Sequence, residues 1–246
     1  MDYKSYRQMV RGDLWDQWGT LELDQKLGLP TPPLQKPYPS DAVLIDLVPA
    51  ADLTVGSMPV LEAIRRRESC RSYQPTPLTM EELSFLLWAT QGVKSIIKSG
   101  YATRRTVPSG GSRHPFETYL AVQRVDSLAP GLYRYLGIEH KLLLLNEDPD
   151  IGSKICDGCA DFSLESAVTF IWTAIPYRTE WRYGPLAPKL IAQDSGHMCQ
   201  NLYLACTAIQ AGTCAVGAYS QAKMDTLLGV DGVDEFTVYC APVGKI

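Results

Sequence analysis

The chain of 246 residues is long enough for one large domain with a substantial core, and its 46% hydrophobic and 20% charged residues are ordinary for a globular protein. A net charge of −4 argues against nucleic acid as the main partner, because phosphate contacts need a basic surface. The uncharged stretch between Asp194 and Lys223 holds too many polar residues to span a membrane. Because no apolar leader follows Met1 and the seven cysteines lie mostly in apolar stretches, we expect a cytoplasmic protein with reduced thiols.

Residues 1–57 are predicted to form an irregular, extended arm. Five prolines between positions 30 and 39 forbid regular helix there. Tyr38, Leu44, Ile45 and Leu47 offer apolar anchors, so we expect the arm to lie across a surface, with that of a partner subunit as one candidate. A floppy tail is the alternative. The rest of the chain, 58–246, is expected to form a single domain.

Helices and strands are mixed along the rest of the chain. Pro59 is predicted to begin a helix that runs to about Arg67, and Thr79 with Glu82 forms a capping box for the next one. Strands are predicted at 117–124, 131–136, 141–145, 168–174, 214–218 and 235–243. The longest helix is predicted over 190–211, with so little polar surface that we expect it to be buried on all sides. This mixed order predicts an α+β fold.

Four arginines lie within seven residues at 65–71. Guanidinium groups bind phosphate in a bidentate manner, and Ser69 adds a hydroxyl donor. The alternative is a solvated basic helix end, since cations also suit a helix C-terminus.

Two segments rich in small residues could approach a flat ligand. At Ser109, Gly110 and Gly111 the backbone amides are accessible and the serine can donate to a ring heteroatom. At 212–218 small residues permit a ring to stack against the backbone. An ordinary loop and a helix-to-strand turn are the respective alternatives. The CxxC at 156–159 has no second CxxC and no suitably spaced histidine, so we expect a structural role and predict no metal site.

Taken together and in this order, these features resemble the nitroreductase superfamily from about residue 61 to 245, and within it the SagB-type dehydrogenases. The resemblance rests on 67–73 (Arg-Glu-Ser-Cys-Arg-Ser-Tyr), 86–92 (Leu-Leu-Trp-Ala-Thr-Gln-Gly), 108–111 (Pro-Ser-Gly-Gly), 131–135 (Gly-Leu-Tyr-Arg-Tyr), 194–202 (Asp-Ser-Gly-His-Met-Cys-Gln-Asn-Leu) and 234–236 (Asp-Glu-Phe). It implies a nitroreductase-like α+β fold, with a central, mostly antiparallel sheet flanked by helices. It also implies a homodimer with one FMN in each of two interface pockets.

The resemblance further implies which residues bind FMN. They are Arg67, Glu68, Ser69, Arg71, Pro108, Ser109, Gly110, Ala215, Val216, Gly217, Gly244 and Lys245. Arg67, Ser69 and Arg71 would surround the phosphate and the pyrimidine edge, and the residues at 215–217 would lie along the ring near N5. Those at 108–110 would reach the same flavin from the opposite subunit.

The implied activity is that of an FMN-dependent oxidoreductase, which transfers a hydride between a small or peptidic substrate and flavin N5. SagB-type azoline dehydrogenases typically carry Lys-Tyr where this chain has Arg182 and Tyr183. Arginine is effectively always charged, so Arg182 would act as an electrostatic clamp, while Tyr183 could still act as an acid or base. The alternatives are a nitro- or quinone-reductase that uses NADH or NADPH, and a flavin-binding protein without turnover.

Overall fold

The computed structural model of the protein describes residues 3–97, 100–159 and 165–246. The helices are α1 (Lys4–Arg7), α2 (Val60–Arg66), α3 (Met80–Gln91), α4 (Ile151–Gly158), α5 (Tyr177–Tyr183), α6 (Ala187–Ala208) and α7 (Gln221–Leu228). The strands are β1 (Leu44–Asp46), β2 (Val93–Ile97), β3 (Ala102–Arg105), β4 (Phe116–Val122), β5 (Gly131–Leu136), β6 (Lys141–Glu147), β7 (Val168–Ala174), β8 (Ala211–Thr213) and β9 (Phe236–Lys245). None of the helices in these described ranges is long and apolar enough to cross a membrane.

Seven strands form the central sheet in the order β1-β6-β5-β4-β7-β9-β8, and every neighbouring pair is antiparallel. Strands β4, β5 and β7 are buried along their whole length, because helices cover both faces of the sheet. Helices α3 and α6 pack on one face around Leu86 and Leu202, while α4 and α7 pack on the other around Ile155 and Met224. The predicted α+β fold with a central antiparallel sheet flanked by helices is therefore confirmed.

The capping signals place the helices that precede the sheet. Pro59 is the N-cap of α2. Thr79 accepts a hydrogen bond from the backbone N–H of Glu82, whose carboxylate accepts one from the backbone N–H of Thr79. This reciprocal pair satisfies two donors that a helix start leaves without intrahelical partners, so the predicted capping box is confirmed.

The end of the longest helix differs from the prediction. Helix α6 ends at Ala208, because Gln210 adopts a left-handed conformation with φ of 57° and turns the chain into β8. Ile209 and Gln210 thus form a turn and Ala211 begins a strand, while the predicted strand at 214–218 contributes one isolated bridge, between Val216 and Cys240. The helix is also not buried on all sides in the single chain, since Gln193 and Gln200 are exposed.

The described part of the N-terminal arm lies across its own subunit. Leu23 is 2% exposed, and the backbone N–H of Gln25 donates to the carbonyl of Trp181 at 2.8 Å. Further along, the backbone N–H of Lys36 donates to the Glu117 carboxylate at 2.8 Å, and β1 pairs with β6 at the sheet edge. These contacts of the arm are all made within one chain.

Candidate functional site

The segment after α2 runs beside strand β8. The backbone N–H of Cys70 donates to the carbonyl of Thr213 at 2.9 Å, and Ser69 forms a parallel bridge with the same residue. Four residues later, Gln74 donates to the carbonyl of Lys245 at 2.8 Å. The approach is so close that a Cβ at Gly212 would lie 2.6 Å from that of Cys70. Sheet pairing therefore fixes the backbone of the arginine-rich segment.

Tyr203 on α6 joins three of the predicted site residues. Its hydroxyl lies 3.1 Å from the Ser69 hydroxyl and accepts a hydrogen bond from the backbone N–H of Ala215 at 2.8 Å. The guanidinium carbon of Arg67 lies 5.4 Å from the centre of the Tyr203 ring, within the range of a cation–π contact. Tyr203 was not predicted as a site residue, because its position in the helical pattern does not distinguish it from other residues of α6.

The charged side chains of this segment face solvent. Glu68 and Arg71 are exposed and Arg67 is half-buried, and no ion pair within the described ranges involves any of the three. Glu68 also lines a pocket of about 160 Å³ between the segment, α6 and β8. Two guanidinium groups without carboxylate partners can bind an anion such as a phosphate.

The small residues after β8 complete this side of the site. Val216 exchanges two backbone hydrogen bonds with Cys240, and its side chain is buried beneath the sheet. Gly217 next to it is exposed, and a Cβ built there would meet nothing within 4 Å. We call Arg67, Ser69, Arg71, Tyr203 and residues 215–217 the arginine cluster.

The end of β9 supports the arginine cluster through packing. A Cβ at Gly244 would lie 2.8 Å from that of Tyr73, so glycine allows this ring to pack against the strand. The ammonium of Lys245 pairs with Glu82 and donates to the carbonyl of Ile209 at 3.3 Å. The structure therefore places Lys245 in an ion pair with helix α3.

The glycine-rich loop is held by a buried carboxylate on α6. The backbone N–H of Gly110 donates to both carboxylate oxygens of Asp194, at 3.2 and 3.3 Å. Burial raises the pKa of Asp194, although hydrogen bonds from Ser109 and Gly110 act in the opposite direction. Ser109 in turn accepts the backbone N–H of His114 at 2.9 Å. Burial, followed by the charge of Arg105, lowers the pKa of His114 to about 2.

The same loop touches both predicted catalytic residues. Gly111 has φ of 58°, and a Cβ there would lie 2.6 Å from the Tyr183 hydroxyl and 2.9 Å from Arg182. Arg182 donates to the Tyr101 hydroxyl at 3.2 Å, while its Nε is buried without a hydrogen-bond partner among the described residues. We call the residues at 108–111 with Arg182, Tyr183 and Asp194 the glycine-loop cluster.

Two tryptophans of the arm cover the glycine-loop cluster. The ring centres of Trp15 and Trp18 lie 6.0 and 5.4 Å from that of Tyr183. Tyr183 is therefore buried although it belongs to a short surface helix. Trp15 and Trp18 were not predicted as site residues, because they belong to an arm with no regular pattern.

The two clusters lie on opposite sides of α6. The arginine cluster meets the helix at Tyr203 and the glycine-loop cluster meets it at Asp194, nine positions earlier. Nine residues of α-helix correspond to about 13 Å along the axis and roughly half a turn around it. The structure thus brings the predicted site residues together in two groups that face away from each other within one chain.

No metal site accompanies these clusters in the ranges 3–97, 100–159 and 165–246. No group of three or more histidine, cysteine, aspartate or glutamate side chains there could hold a metal ion. The buried Cys159 of the CxxC sequence instead lies 3.8 Å from the sulfur of Met224.

Comparisons with known proteins agree with the fold. The model of the nitroreductase family matches residues 64–245. A protein of Methanocaldococcus jannaschii that is named as a nitroreductase is 30% identical over 186 residues, which cover 75% of this chain and 89% of the relative.

Solved structures extend the comparison. One from Ralstonia eutropha, also named as a nitroreductase, is 25% identical with a TM-score of 0.68 and covers 88% of this chain and 98% of that one. Another, from Desulfovibrio desulfuricans and solved in complex with FMN, is 19% identical with a TM-score of 0.51 and shares the fold over 76% of this chain and 86% of that one.

Proposed function

Because the chain belongs to the nitroreductase family, we propose that it is an FMN-dependent oxidoreductase whose two active sites form between two copies of the chain. The observation that carries the proposal is the division of the site residues into two clusters on opposite sides of α6. Each cluster suits one half of a flavin site, and a second copy is needed to bring the halves together.

The arginine cluster would hold the phosphate end of FMN. Arg67 and Arg71 supply cationic donors without carboxylate partners, and Ser69 supplies a hydroxyl already oriented by Tyr203. Glu68 would remain at the rim of this half-site, where it is exposed. Gly244 and Lys245 would support this half-site indirectly. The carbonyl of Lys245 accepts a hydrogen bond from the backbone N–H of Gln74, and its ammonium is paired with Glu82.

The ring end of FMN would lie along residues 215–217. Val216 is anchored to β9, while Gly217 leaves open space beside its amide, which suits close approach of a flat ring. From the second copy, Pro108, Ser109 and Gly110 would reach the same ring. Bound FMN supplies two-electron redox chemistry, and the protein positions the substrate against it.

An apolar face on α2 favours the homodimer. Val60, Leu61 and Ile64 are 68%, 57% and 56% exposed, although they lie on one side of a helix. A groove of about 370 Å³ between α2, α3 and α6 continues this face. Burying such a patch against a second copy would remove apolar surface from water, which is the main driving force of association.

We assign substrate contacts to Arg182 and Tyr183. The buried Nε of Arg182 has no acceptor among the described residues, so an acceptor supplied by a bound ligand would satisfy it. Tyr183 adds a hydroxyl that can give or take a proton. We propose that the substrate is a small or peptidic molecule, oxidised as in SagB-type dehydrogenases.

Arg182 also favours a second candidate activity. In SagB-type azoline dehydrogenases a lysine at this position could act as the base. An arginine cannot, because it does not lose its proton. A nitro- or quinone-reductase needs no such base, because NADH or NADPH would provide the electrons. The chain would then reduce its substrate rather than oxidise it.

Flavin content and Arg67 test the proposed site. The purified protein should be yellow or take up FMN, and Arg67→Ala should weaken FMN binding roughly tenfold to a hundredfold, because a hydrogen bond to a charged group contributes about 1.5–3 kcal/mol. Arg65→Ala is the matched control, since Arg65 is equally cationic but lies within α2. Equal affinities of the two variants, measured by fluorescence titration, would contradict the phosphate role.

Anaerobic mixing separates the candidate activities. Bleaching of the flavin absorbance by an azoline peptide would favour the dehydrogenase, while rapid bleaching by NADH or NADPH would favour the reductase. A flavin that none of these bleaches would indicate a binding protein without turnover.

A further inference from the structure

A large apolar cavity lies between α5, α6 and β9. Its volume is about 680 Å³, and its walls come from the start of α5, the first turns of α6 and the first half of β9. None of its lining residues is among the predicted flavin-binding or catalytic residues. A cavity of this size and lining is typical of a small-molecule site.

The local sequence explains why the cavity is open and apolar. Pro176 and Pro188 line it, and a proline has no backbone N–H to present to the interior. Ala192 contributes only a methyl group where α6 passes the cavity. On the sheet side, β8 pairs only with the last three residues of β9, so Phe236 and Val238 are left partly uncovered.

Two carboxylates stand at this otherwise apolar cavity. Glu180 and Asp234 both line it, and the pKa of Glu180 is raised by burial and then by the negative charge of Asp234. Both residues are exposed to solvent, and no ion pair or side-chain hydrogen bond in the described ranges involves either carboxylate. The cavity therefore combines apolar walls with a negatively charged, solvent-exposed rim.

We propose that this cavity binds an organic cation with a flat or bulky hydrophobic body. The apolar walls would bury the body, and the positive charge would relieve the repulsion between Glu180 and Asp234. The rings of Tyr177 and Phe236, which also line the cavity, add faces that attract a cation. The cavity shares no lining residue with the proposed flavin site, so either proposal can fail while the other holds.

Equilibrium dialysis with berberine, a planar quaternary ammonium, tests the proposal on the full-length purified protein. Binding should be saturable and should weaken as salt rises. The double variant Glu180→Gln/Asp234→Asn should bind berberine at least about tenfold more weakly, because the two charges that attract the cation are gone. Asp41→Asn/Asp126→Asn, which removes the same charge from exposed positions elsewhere, should bind like the unmodified protein.

Two further measurements keep the test decisive. Ala192→Trp should abolish berberine binding by filling the cavity, while FMN content, measured separately, stays unchanged. The anionic apolar dye anilinonaphthalene sulfonate should bind more weakly than berberine. The proposal would be overturned if the two dyes bound equally or if the Glu180/Asp234 variant kept its affinity for berberine. It would also be overturned if berberine did not bind because a second copy occupies the cavity.

Discussion

The arginine cluster and the glycine-loop cluster are built in different ways, although both belong to one proposed site. The arginine cluster is open: its cations face solvent, and a single tyrosine, Tyr203, orients its serine and its backbone. The glycine-loop cluster is closed: Asp194 is 4% exposed, and Trp15 and Trp18 cover Tyr183. An open cationic surface suits the capture of an anion, whereas a buried, cross-linked loop suits exact placement of a ring or a substrate.

The two clusters also depend on different interactions for their structure. The arginine cluster depends on sheet pairing between residues near Ser69 and β8, so its backbone is fixed by the main fold. The glycine-loop cluster depends on contacts between side chains and on a left-handed glycine, Gly111. We therefore expect substitutions in the glycine-loop cluster to cost more stability than those in the arginine cluster.

The largest effect is expected at Gly111. Gly111→Val should lower the free energy of unfolding by roughly 3 kcal/mol, because a left-handed conformation costs about 1–2 kcal/mol and overpacking against Tyr183 adds a similar amount. Chemical denaturation measures this change. Gly110→Val is the control, since its Cβ would lie at an ordinary 3.4 Å from Leu190. Equal losses in the two variants would show that the loop is not held as described.

The next largest effect is expected from His114, whose backbone N–H donates to Ser109 of the glycine-loop cluster. His114 is neutral when folded, with its pKa lowered to about 2, whereas an unfolded histidine binds a proton below about pH 6.5. The unfolded state therefore binds more protons between these values, and stability falls by about 1.4 kcal/mol for each pH unit below 6.5. That contribution amounts to about 2 kcal/mol at pH 5.

His114→Asn tests this directly, because asparagine does not titrate and tolerates the φ of 44° at this position. Unfolding free energies measured from pH 8 to pH 5 should fall less steeply in the variant than in the unmodified protein. Parallel curves would rule out His114 as the source of the acid sensitivity.

A smaller effect is expected in the arginine cluster. Tyr203→Phe removes the hydroxyl that contacts Ser69 and Ala215, so the free energy of unfolding should fall by about 1 kcal/mol and FMN affinity should drop several-fold. Tyr133→Phe is the control, since the Tyr133 hydroxyl also bonds to the backbone, donating to the carbonyl of Ala129 at 2.7 Å, but lies on β5, away from the cluster. The control should lose stability without losing FMN affinity. If both variants bind FMN equally, Tyr203 does not organise the site.

The sequence predicted those parts of the fold that depend on local pattern. The capping box at Thr79, the β5–β6 hairpin and strand β7 follow from short-range signals, and each is present. Helix α5 and the β2–β3 hairpin were not predicted. They are short, and the hairpin carries Lys94 and Arg104 in place of a clear apolar alternation. Their conformation depends on contacts with distant parts of the chain.

The candidate site shows the same limit. The arginine and glycine motifs could be found because they are short runs of unusual composition. Tyr203 and Asp194 could not, since each acts through contacts across the fold from within a long helix. Their side chains are typical of many helices, and only the packing of α6 against both clusters gives them a role.

A subunit-mixing experiment tests the central claim, that one flavin site needs the arginine cluster of one copy and the glycine-loop cluster of the other. Arg67→Ala chains and Gly110→Val chains would be co-expressed with different tags, and dimers that carry both tags would be purified. One of the two sites in such a dimer would then hold both changes, and the other would hold neither.

Each parent variant should bind FMN weakly, while the mixed dimer should bind about one FMN per dimer with the affinity of the unmodified protein. A mixed dimer that binds FMN no better than either parent would show that the two clusters do not meet across a subunit interface.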